Sequence, residues 1–427
     1  MKIRAITIGD KIPYLSDDNE FESVMEEKLF KYRRLNEDLI DEFANIELEV
    51  QSKRMCSQPL FSYADQHFYK ENLKICLQRI NTQFKIIGKL LNRYQIDYFA
   101  CCAMLADTLE KFGVFEKLLL NEIPVYIKNF KFLFSSVNVA STKKGINISA
   151  LKSSAKIIKA ISSDPFRNLN FCVSSNVVPT LNVPFFPASY HSSEEPGFSL
   201  ALEMADEVNR ICKEAESIPQ LKKKIRERLI EIHDTLTPIS KRIAENFEVE
   251  FKGIDLSPAP FPEIEKSIGN AVENIGFEYF GSHGTTFGIA LIKNSIPTEL
   301  EKSLGFNGFM QPVLEDYSIA KSLSKGNINL DTLLLYSCLC GTGLDCIPLP
   351  GDITVKELFY ILLDLCTISL KFNKPLTARL MPIPGKGPGD DVGFDFEYFA
   401  PSKVMDYKKL KSFKDGFYEK QNGFIKF

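Results

Sequence analysis

The sequence predicts an α/β fold in which much of the strand pairing is parallel. Apolar runs of strand length alternate with helix-length amphipathic segments from Met1 to Ser175, and parallel strands need crossovers of this kind. The composition, 44% hydrophobic and 25% charged over 427 residues, leaves ample apolar material for a core.

Met1–Gly9 reads as a buried first strand. In Glu20–Phe43 the residues Phe21, Val24, Met25, Leu29, Tyr32, Leu35, Leu39 and Phe43 recur at steps of three and four, so this segment is expected to be a helix. Ile46–Arg54 alternates like a half-buried strand, and Lys70–Tyr94 is helical again. Asp97–Leu105 is a short apolar run of strand length, followed by a helix-forming stretch from Asp107 to Leu120. Asn129–Val139 reads as a strand, Ser149–Ser162 as a helix and Asn168–Ser175 as a strand. Ser199–Phe247 is expected to be almost continuously helical, interrupted at Pro219 and Pro238. The last third sets glycine and proline between short elements, in GSHGTT from Gly281, GTGLDCIPLPGD from Gly341 and MPIPGKGPGDD from Met381. Such segments are expected to be site loops on a rigid frame.

Several function classes are disfavoured. A net charge of −3 with no long basic run argues against nucleic acid. The KKKIRER cluster from Lys222 to Arg228 is interleaved with Glu and reads as a solvated helix face. No run of 18 apolar residues appears, so no membrane partner is expected. The opening residues do not read as a signal peptide, and the ten scattered cysteines are expected to be reduced thiols in the cytoplasm. No Walker-type phosphate loop is present, and GTGLDC places Cys346 where a dinucleotide fingerprint needs its third glycine.

The candidate site residues follow from chemistry. His191 ends an expected aromatic strand, FFPASYH, and His283 sits among small residues in GSHGTT; either could act as acid or base near neutral pH. His67 and His233 lie among helical residues and read as packing or surface groups. Asp345 and Asp352 flank the CIPLPG turn and could meet at one pocket, orienting the histidine or holding a divalent cation, the one cofactor the sequence offers; Asp352 could equally cap a helix. Arg379 and Lys386 bring two cations beside the glycine-rich loop of Gly385 and Gly387. With Gly351 and Thr285 they form the expected carboxylate or phosphate site. Pairing with Asp390 or Asp391 is the structural rival. Cys101-Cys102 reads as core, and Cys338, Cys340 and Cys346 lack the spacing of a zinc site.

Together, MKIRAITIG, FFPASYH, DLSPAP, GSHGTT, GLDCIPLPGD, KPLTARLMPIPGKGPGD and FDFEYF resemble the family called domain of unknown function 711, most densely after His191. Cys346 departs from that family's pattern. The resemblance implies a large ten-stranded α/β barrel similar to that of pyruvate formate-lyase and its glycyl-radical relatives. It would form one domain over residues 1–427, with the helical stretch at about 199–247 as an insertion. Gly416 and Gly423 do not match a glycyl-radical motif, so no radical is expected. The expected function is a non-radical enzyme acting on a small anionic metabolite. The alternative is a ligand-binding regulatory protein working with an ACT-type partner. A homo-oligomer is expected in either case.

Overall fold

The computed structural model describes residues 1–68, 72–411 and 420–426, the side chains of residues 65–68 excepted. The first half runs β1 (Lys2–Gly9), α1 (Asp18–Ala44), β2 (Lys53–Ser57), α2 (Leu60–Phe68), α3 (Leu73–Arg93), β3 (Tyr98–Leu105), α4 (Val114–Asn129), β4 (Leu133–Ser141), β5 (Gly145–Asn147), α5 (Ile148–Ile161) and β6 (Phe171–Ser175). The second half runs β7 (Gly197–Glu203), α6 (Ala205–Glu214), α7 (Ile218–Asn246), β8 (Glu250–Ala259), α8 (Ile268–Asn274), α9 (Thr285–Lys293), α10 (Tyr317–Ser324), α11 (Leu330–Ser337), β9 (Gly343–Pro350), α12 (Val355–Phe372), β10 (Leu376–Ile383) and β11 (Phe424–Ile425).

The α/β class expected from the alternation is what forms. β1, β2, β3, β4 and β6 make a parallel block, with β7 antiparallel to β1 at one edge and β10 antiparallel to β6 at the other. β8 extends β7 in parallel and β9 extends β10 in parallel, while β5 and β11 lie off this path. The continuous ladder is not a closed ring: it ends at β8 and β9. Between those ends, one irregular segment bridges to both, through Ser303 with Ile254 of β8 and through Pro312 with Asp345 of β9, each in the parallel sense.

The two faces of the strands have different fates, because side chains alternate along a strand. On β3, Phe99, Cys101 and Ala103 join the main core between sheet and helices. Tyr98, Ala100 and Cys102 face the other way, into smaller clusters. Val183, Phe185, Phe186, Ala188 and Tyr190 from the segment between β6 and β7 pack against this second face. FFPASYH, expected to be a strand, is an irregular plug instead, and its Phe186-Pro187 peptide bond is cis.

Other boundaries also shift. Residues 199–203, expected to start a long helix, lie in β7, which is buried on both faces and paired on both edges. A continuous apolar run does not by itself distinguish a central strand from a buried helix. Helix α4 starts later than expected and consumes Asn129, so β4 begins at Leu133. The stretch GLDCIPLP, expected to lie in a loop, is β9, and Met381, Pro382 and Ile383, expected to open the next loop, are the end of β10. Pro348 and Pro350 are tolerated because alternate residues point their missing N–H groups to the same side, away from the ladder with β10. Helix α12 is closed by a capping box of Thr354 and Glu357, not by Asp352. Gly416 lies outside the described residues, and the Gly423 carbonyl accepts a hydrogen bond from the Ile148 amide at 2.9 Å.

Candidate functional site

The inner face of the sheet surrounds a cavity of about 220 Å³. Its wall draws on strands from the whole ladder: Arg4 of β1, Arg54 of β2, Tyr98 of β3, Phe134 of β4, Cys172 of β6, Ala259 of β8, Asp345 of β9 and Arg379 of β10. Since both ends of the ladder contribute, the sheet curls around this space.

Three arginines meet there. Arg379 is 9% exposed and forms a bidentate pair with Asp345, through Nε to Oδ1 and through Nη2 to Oδ2 at 2.8 Å. Its Nη2 also donates to Glu315 Oε1 at 2.9 Å. Arg4 donates to the other Glu315 oxygen at 2.5 Å and to the Pro260 carbonyl at 3.0 Å, with Glu203 3.6 Å away. The Cys346 thiol donates to Glu315 at 3.2 Å. Burial works against the charge on Glu315, but the cations of Arg379 and Arg4 outweigh it and hold its carboxyl below the usual range. Burial likewise opposes the charge on Arg379, and the carboxylates of Asp345 and Glu315 more than reverse this.

Arg54 is different. Its Nε donates to Ser52 Oγ at 2.9 Å, and its guanidinium lies 5.3 Å from the ring centre of Phe186 and 5.9 Å from that of Tyr98. Among the described residues no carboxylate lies within ion-pair distance of it. Burial, reinforced by the neighbouring Arg4 cation, pushes its pKa down to about 10, so it stays charged at neutral pH. Two uncharged groups on the same wall, Thr342 Oγ1 and Gln51 Oε1, are buried without a hydrogen-bond partner.

Of the residues singled out in the sequence, Asp345 and Arg379 reach this cavity together. The rest are elsewhere. Lys386 sits in the turn after β10 and donates to the carbonyls of Asp391 and Val392. In the same turn Gly387 donates to Asp390, and Gly385 takes a positive φ of 77°. Arg379 and Lys386 therefore do not converge, and neither pairs with the Asp390 or Asp391 side chain; Asp391 pairs with Lys403. Gly351 packs where β9 and β10 end, its N–H donating to the Lys386 carbonyl at 3.0 Å. Thr285 is buried at the start of α9 and accepts from the Gly281 amide at 3.0 Å, while His283 beside it is exposed. His191 is 4% exposed, packed on Gly9 and hydrogen-bonded through its backbone to Ser57. Burial lowers its imidazole pKa to about 4, so it is neutral and poorly suited to take a proton at neutral pH. Neither histidine lines the cavity. His233 is buried and bonded through Nε2 to the Glu301 carbonyl at 2.7 Å, a packing role as expected.

Asp345 and Asp352 do not meet. Asp352 is exposed and paired with Lys409, and both oxygens of Asp345 are taken by Arg379. A divalent cation would have to displace that guanidinium, and among the described residues no group of three His, Cys, Asp or Glu is placed to hold a metal. The donor set does not fit the expected cation. No disulfide joins cysteines among the described residues, and burial pushes the Cys102 thiol up to about 11 and the Cys101 thiol still higher, as expected for core thiols.

Arg4, Arg54 and Glu315 were not anticipated. For the two arginines a signal existed, a permanent charge inside an apolar strand; PVLEDYS around Glu315 offers none. Asp255 of the DLSPAP segment also has a role. It is fully buried and accepts from the amides of Phe306 at 2.7 Å and Asn307 at 3.1 Å and from the Ser257 hydroxyl at 2.6 Å, fixing the loop that brings Phe306 to the cavity.

Residues 1–400 match the model of the family described as Uncharacterised ACR (DUF711). Similar curated proteins include a UPF0210 protein of Pyrobaculum aerophilum, 28% identical over 79% of this chain and 79% of its own length. Another, from Halothermothrix orenii, is 26% identical over 90% of this chain and 85% of its own. A third, from Caldicellulosiruptor saccharolyticus, is 27% identical over 96% and 91% respectively. No helix among the described residues is long and apolar enough to cross a membrane.

Proposed function

The chain belongs to the family described as Uncharacterised ACR (DUF711), and from the cavity inside its sheet we propose that it is a non-radical enzyme acting on a small anionic metabolite bound at Arg54. The carrying observation is that Arg54 is a half-buried cation on the cavity wall with no carboxylate partner among the described residues. A buried charge is costly unless paired, and an anionic ligand would supply the missing partner. The acid–base role expected for His191 or His283 passes to the carboxylates on the same wall, Asp97, Glu315 and Asp345.

We read residues 302–313 as the tenth stave of the barrel. Their bridges to β8 and β9 join the two open ends of the nine-strand path, which supports the pyruvate formate-lyase-like ring. The scatter of the ten cysteines, with no disulfide among the described residues, supports a reducing, cytoplasmic setting.

One observation favours the regulatory reading: Asp345 and Glu315 are both held by arginines, as anchors would be. In that reading the same pocket senses its ligand, with an ACT-type protein as partner. Calorimetry with carboxylates and phosphate esters against wild type and Arg54→Gln tests the shared site. Unchanged affinity in the variant refutes it, and turnover of the bound compound separates enzyme from sensor.

A further inference from the structure

The wall around Arg54 narrows the chemistry of the ligand. Tyr98, Phe134 and Phe186 form one aromatic cluster, Phe134 lying 5.3 Å from Tyr98 and 5.4 Å from Phe186 between ring centres. Two of these rings flank the Arg54 guanidinium. A second aromatic wall comes from the segment after β10, where Phe396 and Tyr398 line the cavity with ring centres 5.1 Å apart.

Most hydrogen-bonding capacity on the wall is already spent. Ser52 accepts from Arg54 and donates to the Arg4 carbonyl at 2.7 Å. Thr377 donates to the Thr342 carbonyl at 2.8 Å. Asp345 and Glu315 are held by Arg379 and Arg4. What remains is the outer edge of the Arg54 fork, the Thr342 hydroxyl and Gln51 side-chain oxygen, both buried and without a partner among the described residues, and, from more exposed lining residues, Asp97 Oδ1 and the hydroxyls of Tyr98 and Tyr398. A sugar phosphate would bury hydroxyls against the rings of Phe134, Phe186 and Phe396, which cannot bond them. A dianion would also exceed the charge available, since Arg4 and Arg379 already face three carboxylates, Glu203, Glu315 and Asp345.

We propose that the ligand is a monoanionic carboxylate carrying a flat aromatic body, with its carboxylate on Arg54, its ring among Phe186, Phe134 and the Phe396–Tyr398 wall, and one polar substituent at Thr342. This rests on the anion-site reading and gives it a substrate class. A carboxylate matches the guanidinium fork bidentately, and a ligand ring gains edge-to-face contacts from walls already built that way.

The test is calorimetry on the full chain with trans-cinnamate, acetate and glycerol 3-phosphate, repeated on Arg54→Gln and Phe186→Leu. Trans-cinnamate is expected to bind at least tenfold tighter than either other probe, to lose at least tenfold in Arg54→Gln, and to weaken at least threefold in Phe186→Leu while acetate is unaffected. Glycerol 3-phosphate binding as tightly as trans-cinnamate, yet weakened by Arg54→Gln, overturns the aromatic assignment and leaves the anion site standing. Trans-cinnamate affinity unchanged in Arg54→Gln, or no binding of any probe, overturns both. If Arg54→Gln does not fold, Phe186→Leu decides: an equal effect on acetate and trans-cinnamate overturns the aromatic assignment.

Discussion

Replacing Arg379 by Gln is expected to destabilise the protein by about 3–5 kcal/mol, because it breaks a buried ion pair and strands a carboxylate. The figure follows from the contacts. Asp345 loses both of its guanidinium bonds, whereas Glu315 keeps Arg4, so one uncompensated buried charge is created. Unfolding entropy of about 2.1 cal/mol/K per residue amounts to roughly 0.9 kcal/mol/K for this chain, which converts the loss into a melting-temperature drop of about 3–5 °C. The effect should depend on pH with a definite sign. In the wild type the Glu315 pKa lies below its ordinary 4.5, so its contribution is present above that value and is lost as pH falls through the folded pKa. Without Arg379 the Glu315 carboxylate keeps only Arg4 against its burial, its folded pKa is less depressed, and the variant holds less of that contribution at neutral pH. The gap from wild type should therefore be widest at neutral pH and narrow towards pH 5. Urea unfolding at both pH values measures it, and Arg379→Gln combined with Asp345→Asn should recover part of the loss. A gap under about 1 kcal/mol, or one that does not vary with pH, would refute the reasoning.

The other expectations concern single groups. His191 has its pKa lowered from 6.5 to about 4 by burial, so the unfolded chain binds the extra proton in that window and stability falls as pH drops from 6.5. His191→Gln should flatten the slope of stability between pH 6.5 and 5 in denaturant titrations, and an unchanged slope would show that the imidazole is not the cause. Asp316 caps α10 and accepts from Ile319, Ile268, Gly269 and the Ser267 hydroxyl at 2.7–3.2 Å; Asp316→Ala should cost at least about 3 kcal/mol by leaving buried donors unmet. An added Cβ at Gly305, where φ is +78°, would lie 2.1 Å from the Asp255 carboxylate. Gly305→Ala should thus both destabilise the fold and weaken ligand binding through Phe306, and a variant with normal affinity would separate Asp255 from the site.

The first half of the fold was legible because its strands and helices differ in period and are separated by turns. β1, α1, β3, α5 and β6 fall close to where alternation and helical spacing place them. The second half was not, and the reason is the sheet itself. β7 is flanked by β1 and β8 and buried on both faces, so it carries no alternation to distinguish GFSLALE from the helices that follow. β9 and β10 contain prolines that read as loop punctuation, yet these fall where a ladder partner is missing: on the outer side of β9, and in β10 at Pro382, beyond the last β6 partner Ala378. Local sequence cannot report which edge of a strand is free.

The site shows the same division between what a segment says and what the fold assembles. The segments that carry the family resemblance, taken singly, pointed to glycine loops and histidines. Assembled, all of them except GSHGTT place a residue on the cavity: Arg4 from MKIRAITIG, Phe186 from FFPASYH, Pro260 from DLSPAP, Asp345 from GLDCIPLPGD, Arg379 from KPLTARLM and Tyr398 from FDFEYF. Asp345 and Arg379 were recognised through their neighbours, a tight turn and a glycine-rich loop. Their partnership was not, since the residues are 34 apart and only the parallel ladder of β9 with β10 sets them side by side. Arg54 was the hardest to see, although it matters most to the proposed chemistry. What distinguishes it is the absence of a carboxylate partner among the described residues, a property of the space around a residue that no stretch of chain can express.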